Sequence, residues 1–113
     1  MEIEVIEKSD TLTHLALKGR LDLQGVQAIE TQFLAYTVAR KKPALVDLSG
    51  VDYLVSMGIR MLLSSAKSMR ANHTELVLLK PTPQVEETLR SVRLHDVVLI
   101  THDEDQARTR LGI

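Results

Sequence analysis

ALVDLSGVDYLVSMGIRMLLSSAKSMR, the stretch from Ala44 to Arg70, decides the fold. Ala44 to Leu48 is an unbroken apolar run, the pattern of a strand buried on both faces. Ser49, Gly50, Val51 and Asp52 predict a turn. Tyr53, Leu54 and Val55 lead into Ser56-Met57-Gly58. A helix over Met57 to Ala71 follows, with Ile59, Leu62, Leu63, Ala66 and Met69 or Arg70 at helical spacing. Ser56 therefore stands where a loop becomes a helix. A hydroxyl there can cap the helix, hold an anion or carry a phosphate.

Strands and helices alternate on either side of this stretch. On the N-terminal side, Ile3 and Val5 alternate with Glu2, Glu4 and Glu7 and predict a first strand. Ser9-Asp10 is a turn signal, and Leu12 to Lys18 predicts a second strand antiparallel to the first. Thr13, Leu15 and Leu17 share one face of it. Leu12, His14 and Ala16 share the other, with His14 read as facing outward. Gly19-Arg20-Leu21-Asp22 closes the hairpin. A helix then runs to about Arg40, with Val26, Ile29, Phe33 and Tyr36 or Thr37 as its stripe. Asp22 is placed to act near its N-cap, Arg40-Lys41-Lys42 suits its C-terminal dipole, and Pro43 stops it.

On the C-terminal side, Leu76 to Leu79 is another apolar strand. Thr82-Pro83 starts a helix whose stripe is Val85, Leu89 and Val92. Val97 to Ile100 is a last strand, and Asp103 to Leu111 a terminal helix. The order β-β-α-β-α-β-α-β-α predicts an α/β fold. Its mixed sheet is mostly parallel, with an N-terminal antiparallel hairpin, and is covered by amphipathic helices. One domain over residues 1–113 is expected.

Composition narrows the function. The 113 residues are 44% hydrophobic and 26% charged, with a formal net charge of -1 and 3% aromatics. A nucleic-acid binder would show a basic face or aromatic stacking platforms. The absence of cysteine removes thiol catalysis, disulfides and thiolate metal sites. MEIEVIEK lacks the basic start and apolar core of a signal peptide, and no apolar run is long enough to span a bilayer. A cytoplasmic protein without membrane insertion is the expectation.

Chemistry-bearing motifs are few. His14, His73, His95 and His102 lack metal-ligand spacing. No GxxxxGK[ST] loop occurs, and no nucleophile–base pair can be assembled. Asp47, inside an apolar strand, is read as a hydrogen-bonded or sheet-edge carboxylate rather than a phosphoacceptor, since no acidic pair follows the first strand. Asp22 and Ser56 both follow strand C-termini, the edge of an open α/β sheet that commonly holds a site. Gly58 permits close backbone approach, either at the turn or for helix–sheet packing. Arg60 is read as exposed on the first helical turn. No metal or cofactor is expected, and the residues point to a binding protein rather than an enzyme.

These residues resemble a family. Gly19-Arg20-Leu21-Asp22, Leu45-Val46-Asp47-Leu48-Ser49-Gly50-Val51 and Ser56-Met57-Gly58-Ile59 make nearly the whole chain similar to a STAS domain of the bacterial anti-sigma factor antagonist type. In that family the turn before the central helix usually reads Asp-Ser-Ser-Gly-Leu, and its first serine accepts phosphate. Ser56 falls on the acceptor position. Val55 replaces the acid and Met57 the second serine. The resemblance implies partner binding through Asp22, Tyr53, Val55, Ser56, Met57, Gly58 and Arg60. The implied partners are an anti-sigma factor or switch serine kinase and a cognate phosphatase, with homodimerisation possible and no direct contact with nucleic acid. Phosphate on Ser56 would switch binding off. The other reading is a constitutive, unphosphorylated STAS subunit of a larger complex, such as a membrane transporter's cytosolic component.

Overall fold

The computed structural model describes every residue, Met1–Ile113. Its elements follow the expected order: β1 Glu2–Lys8, β2 Thr13–Leu21, α1 Leu23–Thr37, β3 Ala44–Leu54, α2 Ser56–Ala71, β4 Leu76–Leu79, α3 Pro83–Ser91, β5 Leu99–Thr101 and α4 Glu104–Leu111, with a 3-10 turn at Leu94–Asp96. The five strands lie in one sheet in sequence order. β1 and β2 are antiparallel, and β2 to β5 are parallel. Each parallel connection carries a helix, as the chain must to return to the start of the next strand.

Both faces of the sheet are covered. Leu15, Leu17, Val46, Leu48, Leu76 and Leu78 pack with Val26, Ile29 and Phe33 of α1, Met61, Leu62 and Met69 of α2, and Val85 and Leu89 of α3. The opposite face carries a smaller cluster of Leu12, Leu45, Val77 and Leu79 under Ala107 of α4. Central strands sandwiched this way must be apolar on both sides, which is why β3 and β4 begin as unbroken apolar runs. Each fully buried Leu contributes about 2 kcal/mol to this packing.

The turn expected over Ser49–Asp52 is instead strand: β3 continues to Leu54, and β2 continues through Gly19–Leu21 rather than closing there. Two bulges absorb the polar residues. Ala16 pairs with Asp47 but Lys18 with Gly50, and Gly19 pairs with Val51 but Arg20 with Tyr53. At each step β3 carries one more residue than β2. Asp47 Oδ1 accepts from the Ser49 N–H at 2.7 Å and so occupies a donor at the first bulge. Gly19, at φ 111, takes the bend on β2 that a Cβ would oppose.

Other expectations shift by a residue or more. α2 begins at Ser56, and its buried positions are Gly58, Met61, Leu62, Ser65, Ala66 and Met69. Ile59 and Leu63 are only half-buried. α1 ends at Thr37, and Arg40 hydrogen-bonds Ser9 O, Leu12 O and Thr13 Oγ1, clamping the first hairpin. Val92 lies beyond α3 and is exposed. β5 starts at Leu99 because the N–H groups of Val97 and Val98 turn back to Leu94 O at the end of the 3-10 turn, and Asp103 caps α4 from outside.

His14 faces inward, contrary to the sequence reading. α4 covers that face of β2, leaving His14 5% exposed with its Nε2 unpartnered. Burial is the main cause that lowers its pKa, and Arg108 of α4 adds to it. Glu104 of α4, Asp47 of β3 and Glu7 of β1 oppose the shift.

Candidate functional site

The C-terminal ends of β2 and β3 build the site. Leu21 pairs with Leu54, and the Val55 N–H donates to Leu21 O at 3.1 Å. The starts of α1 and α2 therefore lie side by side. Gly58 makes this possible: a Cβ there would come within 2.7 Å of Leu21 Cγ and 2.9 Å of Leu54 Cδ1. It is buried, so helix–sheet packing is its role, and it offers no side chain to a partner.

The two helix starts differ in how their first N–H groups are met. Asp22 caps α1, its Oδ1 accepting from the Gly25 N–H at 2.8 Å. That bond first, and then the Arg20 guanidinium, hold its carboxyl below the usual aspartate range. Arg20 Nε lies 3.4 Å from Asp22 Oδ2, and the same guanidinium sits 4.2 Å from the centre of the Tyr53 ring. Arg20 thus pairs with Asp22 at the start of α1 and reaches from the end of β2 to the end of β3 through the cation–π contact, each interaction weak at this exposure.

Val55 caps α2 without a side-chain hydrogen bond, and no acid stands in the first turn. Val55 O accepts from Gly58 N at 2.9 Å and Ile59 N at 3.1 Å. The N–H groups of Ser56 and Met57 precede those bonds and are the open donors of the helix start. Ser56 is the first helical residue rather than the cap. Its side chain is exposed and makes no hydrogen bond within the protein. The capping reading of its hydroxyl is therefore corrected, and the hydroxyl is free.

Exposed apolar side chains lie at the same end of the sheet. Met57 is 39% exposed, Tyr53 38% and Leu23 51%, with Val55 half-buried between the strand end and the helix. Arg60 is exposed one turn along α2, on the same helix face as Ser56. Asp22, Tyr53, Val55, Ser56, Met57 and Arg60 are thus brought to one end of the sheet, and Gly58 is turned inward. The sequence reading missed Leu23, the first residue of α1, and the role of Arg20. The Arg20–Tyr53 contact depends on the bulged register, which no periodicity reports.

No group of His, Asp or Glu is arranged to hold a metal ion. No helix is long and apolar enough to cross a membrane.

A family model described as Mlab, STAS domain, matches residues 5–101. A candidate anti-sigma factor antagonist of Bordetella bronchiseptica, BtrV, is 29% identical over 82 residues, covering 73% of this chain and 71% of that protein. Among solved structures, an anti-sigma factor antagonist from Mycobacterium paratuberculosis superposes with a TM-score of 0.83 at 22% identity, over 99% of this chain and 96% of the other. The anti-sigma factor antagonist SpoIIAA in its unphosphorylated form gives 0.77 at 16% identity, over 99% and 98%. Its phosphorylated form from Bacillus gives 0.67 at 17%, over 96% and 98%. The structural likenesses, at these identities, concern the fold.

Proposed function

Since the chain belongs to the STAS domain family, we propose that it is an anti-sigma factor antagonist that binds an anti-sigma factor or switch serine kinase while Ser56 is unmodified and is released when Ser56 carries phosphate. One observation carries the reading: the Ser56 hydroxyl is exposed and unbonded at the uncapped start of α2, among exposed apolar side chains. BtrV, described as a candidate antagonist, supports the partner class.

The physical logic separates fold from interface. Phosphate adds about 1.5 to 2 negative charges and three acceptor oxygens. The open N–H groups and the positive dipole end of α2 stabilise such charge, so the fold tolerates it. A partner packed on Met57, Tyr53 and Leu23 would bury it without compensation, and the interface rejects it. The molecule acts by binding, and a phosphatase restores the docking state.

The test is affinity. Ser56→Asp should abolish binding to the anti-sigma partner while circular dichroism stays native and the unfolding midpoint does not fall. Unaltered affinity would count against the switch.

A second reading has its own support. Val55 and Met57 flank Ser56 with apolar side chains, where the family's usual pattern is acidic and hydroxylic. This favours a constitutive contact in a larger complex, such as a transporter's cytosolic component. Co-purification separates the two: a serine kinase belongs to the first, an ATPase subunit to the second.

A further inference from the structure

At the pole opposite Ser56, the loops entering β3 and β4 and the ends of α2 and α4 border an open, shallow concavity of about 460 Å³. Its lining includes Lys41, Arg70, His73, Thr74, Glu75 and Arg110. Three permanent cations thus face one carboxylate, in a chain whose net charge is -1. Helix dipoles account for a cation at the end of α2 and another at the end of α4. They do not account for the convergence of both with Lys41 on one hollow.

The cations are positioned and incompletely used. Arg70 donates through Nη2 to Val97 O at 2.6 Å, which fixes the guanidinium and leaves its other N–H groups available. Arg110 Nε lies 2.6 Å from Glu75 Oε2, yet that oxygen receives no aligned hydrogen bond. Their contact is an ion pair, not a fork, and the remaining Arg110 donors are unspent. Lys41 and His73 both hold left-handed backbone, at φ 56 and 62, where the chain turns into the next strand. Neither side chain has an ion-pair partner within 4.0 Å.

We infer that this hollow is a binding site for a small phosphorylated solute, with Arg70, Arg110 and Lys41 as its charge-bearing donors. Guanidinium forks match phosphate oxygens bidentately, and lysine adds a point charge. Concavity favours a small solute over a flat anionic surface. The site stands at the opposite end of the parallel strands from Ser56 and shares no residue with the Ser56 surface.

The experiment titrates the full ¹⁵N-labelled chain with inorganic pyrophosphate at constant ionic strength, following amide shifts. Saturable shifts at residues 41–42, 70–75 and 110–111, half-complete at or below about 1 mM, with Ser56 unmoved, are the expected result. Arg70→Gln should weaken binding about tenfold. Lys41→Gln, on an exposed loop and with no side-chain hydrogen bond to lose, should do the same and serves if Arg70→Gln fails to fold. Shifts that stay linear, spread over all surface lysines and arginines, match those given by chloride, or persist unchanged in Lys41→Gln overturn the site.

Discussion

Helices α2 and α4 begin in opposite ways. At α4, Asp103 accepts from the N–H groups of Asp105 and Gln106, and Glu104 and Asp105 place two further acids in the first turn. At α2, the capping residue is Val55, the first turn holds no acid, and the Ser56 hydroxyl is unbonded. α1 and α3 side with α4, capped by Asp22 and Thr82. One α-helix start of the four therefore keeps its positive end unanswered, and exposed Tyr53, Met57 and Leu23 lie at the same end of the sheet. A cap left out costs about 1 kcal/mol. The difference teaches that this end is arranged for something other than the protein's own stability.

Charge placed at the open end should produce the largest effect. Ser56→Asp is expected to weaken binding of the anti-sigma partner at least about hundredfold, because a buried interfacial charge is left unpaired. The same change should raise unfolding stability by about 0.5 kcal/mol through the dipole. Calorimetric titration and urea unfolding on one sample read both. A loss of affinity accompanied by a loss of stability would make the effect structural.

Gly58→Ala comes next. Its Cβ must displace Leu21 or Leu54, which are themselves held in the core. A destabilisation of about 1–3 kcal/mol is expected by urea unfolding. A neutral outcome would show that the two helix starts are less tightly locked than the contacts indicate.

Swapping the caps sharpens the contrast. Asp103→Ala should lower stability by about 1 kcal/mol, and Val55→Asp should raise it by up to about that amount. Val55→Asp should also weaken partner binding, since it adds charge and removes apolar surface. If Val55→Asp left stability unchanged, the open end would already be satisfied by means other than a side chain.

The smallest expected effect is on pH. His14 under α4 takes its proton at lower pH in the native chain than in the unfolded one, chiefly because it is buried. The unfolded state therefore binds the proton first, and stability should fall as pH drops below about 6.5. Asp22 and Glu86, both with lowered pKa, act in a lower window, losing their contribution below about pH 4.5. Urea midpoints at about pH 7.5 and about pH 5.5 for the native chain and His14→Gln check this, and only the native chain should move appreciably.

Element order was legible in the sequence because apolar runs and helical stripes report burial directly. The errors came where burial and polarity part company. Ser49 and Asp52 look like a turn but sit in bulges of a continuous strand, where an extra residue is accommodated without pairing. The buried face of α2 includes Gly58 and Ser65, which hydrophobicity cannot flag, so the stripe was drawn toward Ile59 and Leu63. Nothing in the residues of β2 announces that α4 covers His14, so alternation alone turns it outward. The neighbourhood of Ser56 and Asp22 was readable from two parallel strands ending together. The Arg20–Tyr53 stack was not, because it depends on a register that the two bulges set.

Intact-mass and peptide mass spectrometry on the protein purified from its own host, with bound partners identified, tests the central claim most directly. The account predicts a phosphorylated fraction with phosphate on Ser56, partner retained only by the unmodified fraction, and a serine kinase among the partners. Ser56 unmodified across growth conditions, with a different protein stably attached, would contradict the switch and leave α2's open end as a constitutive docking surface.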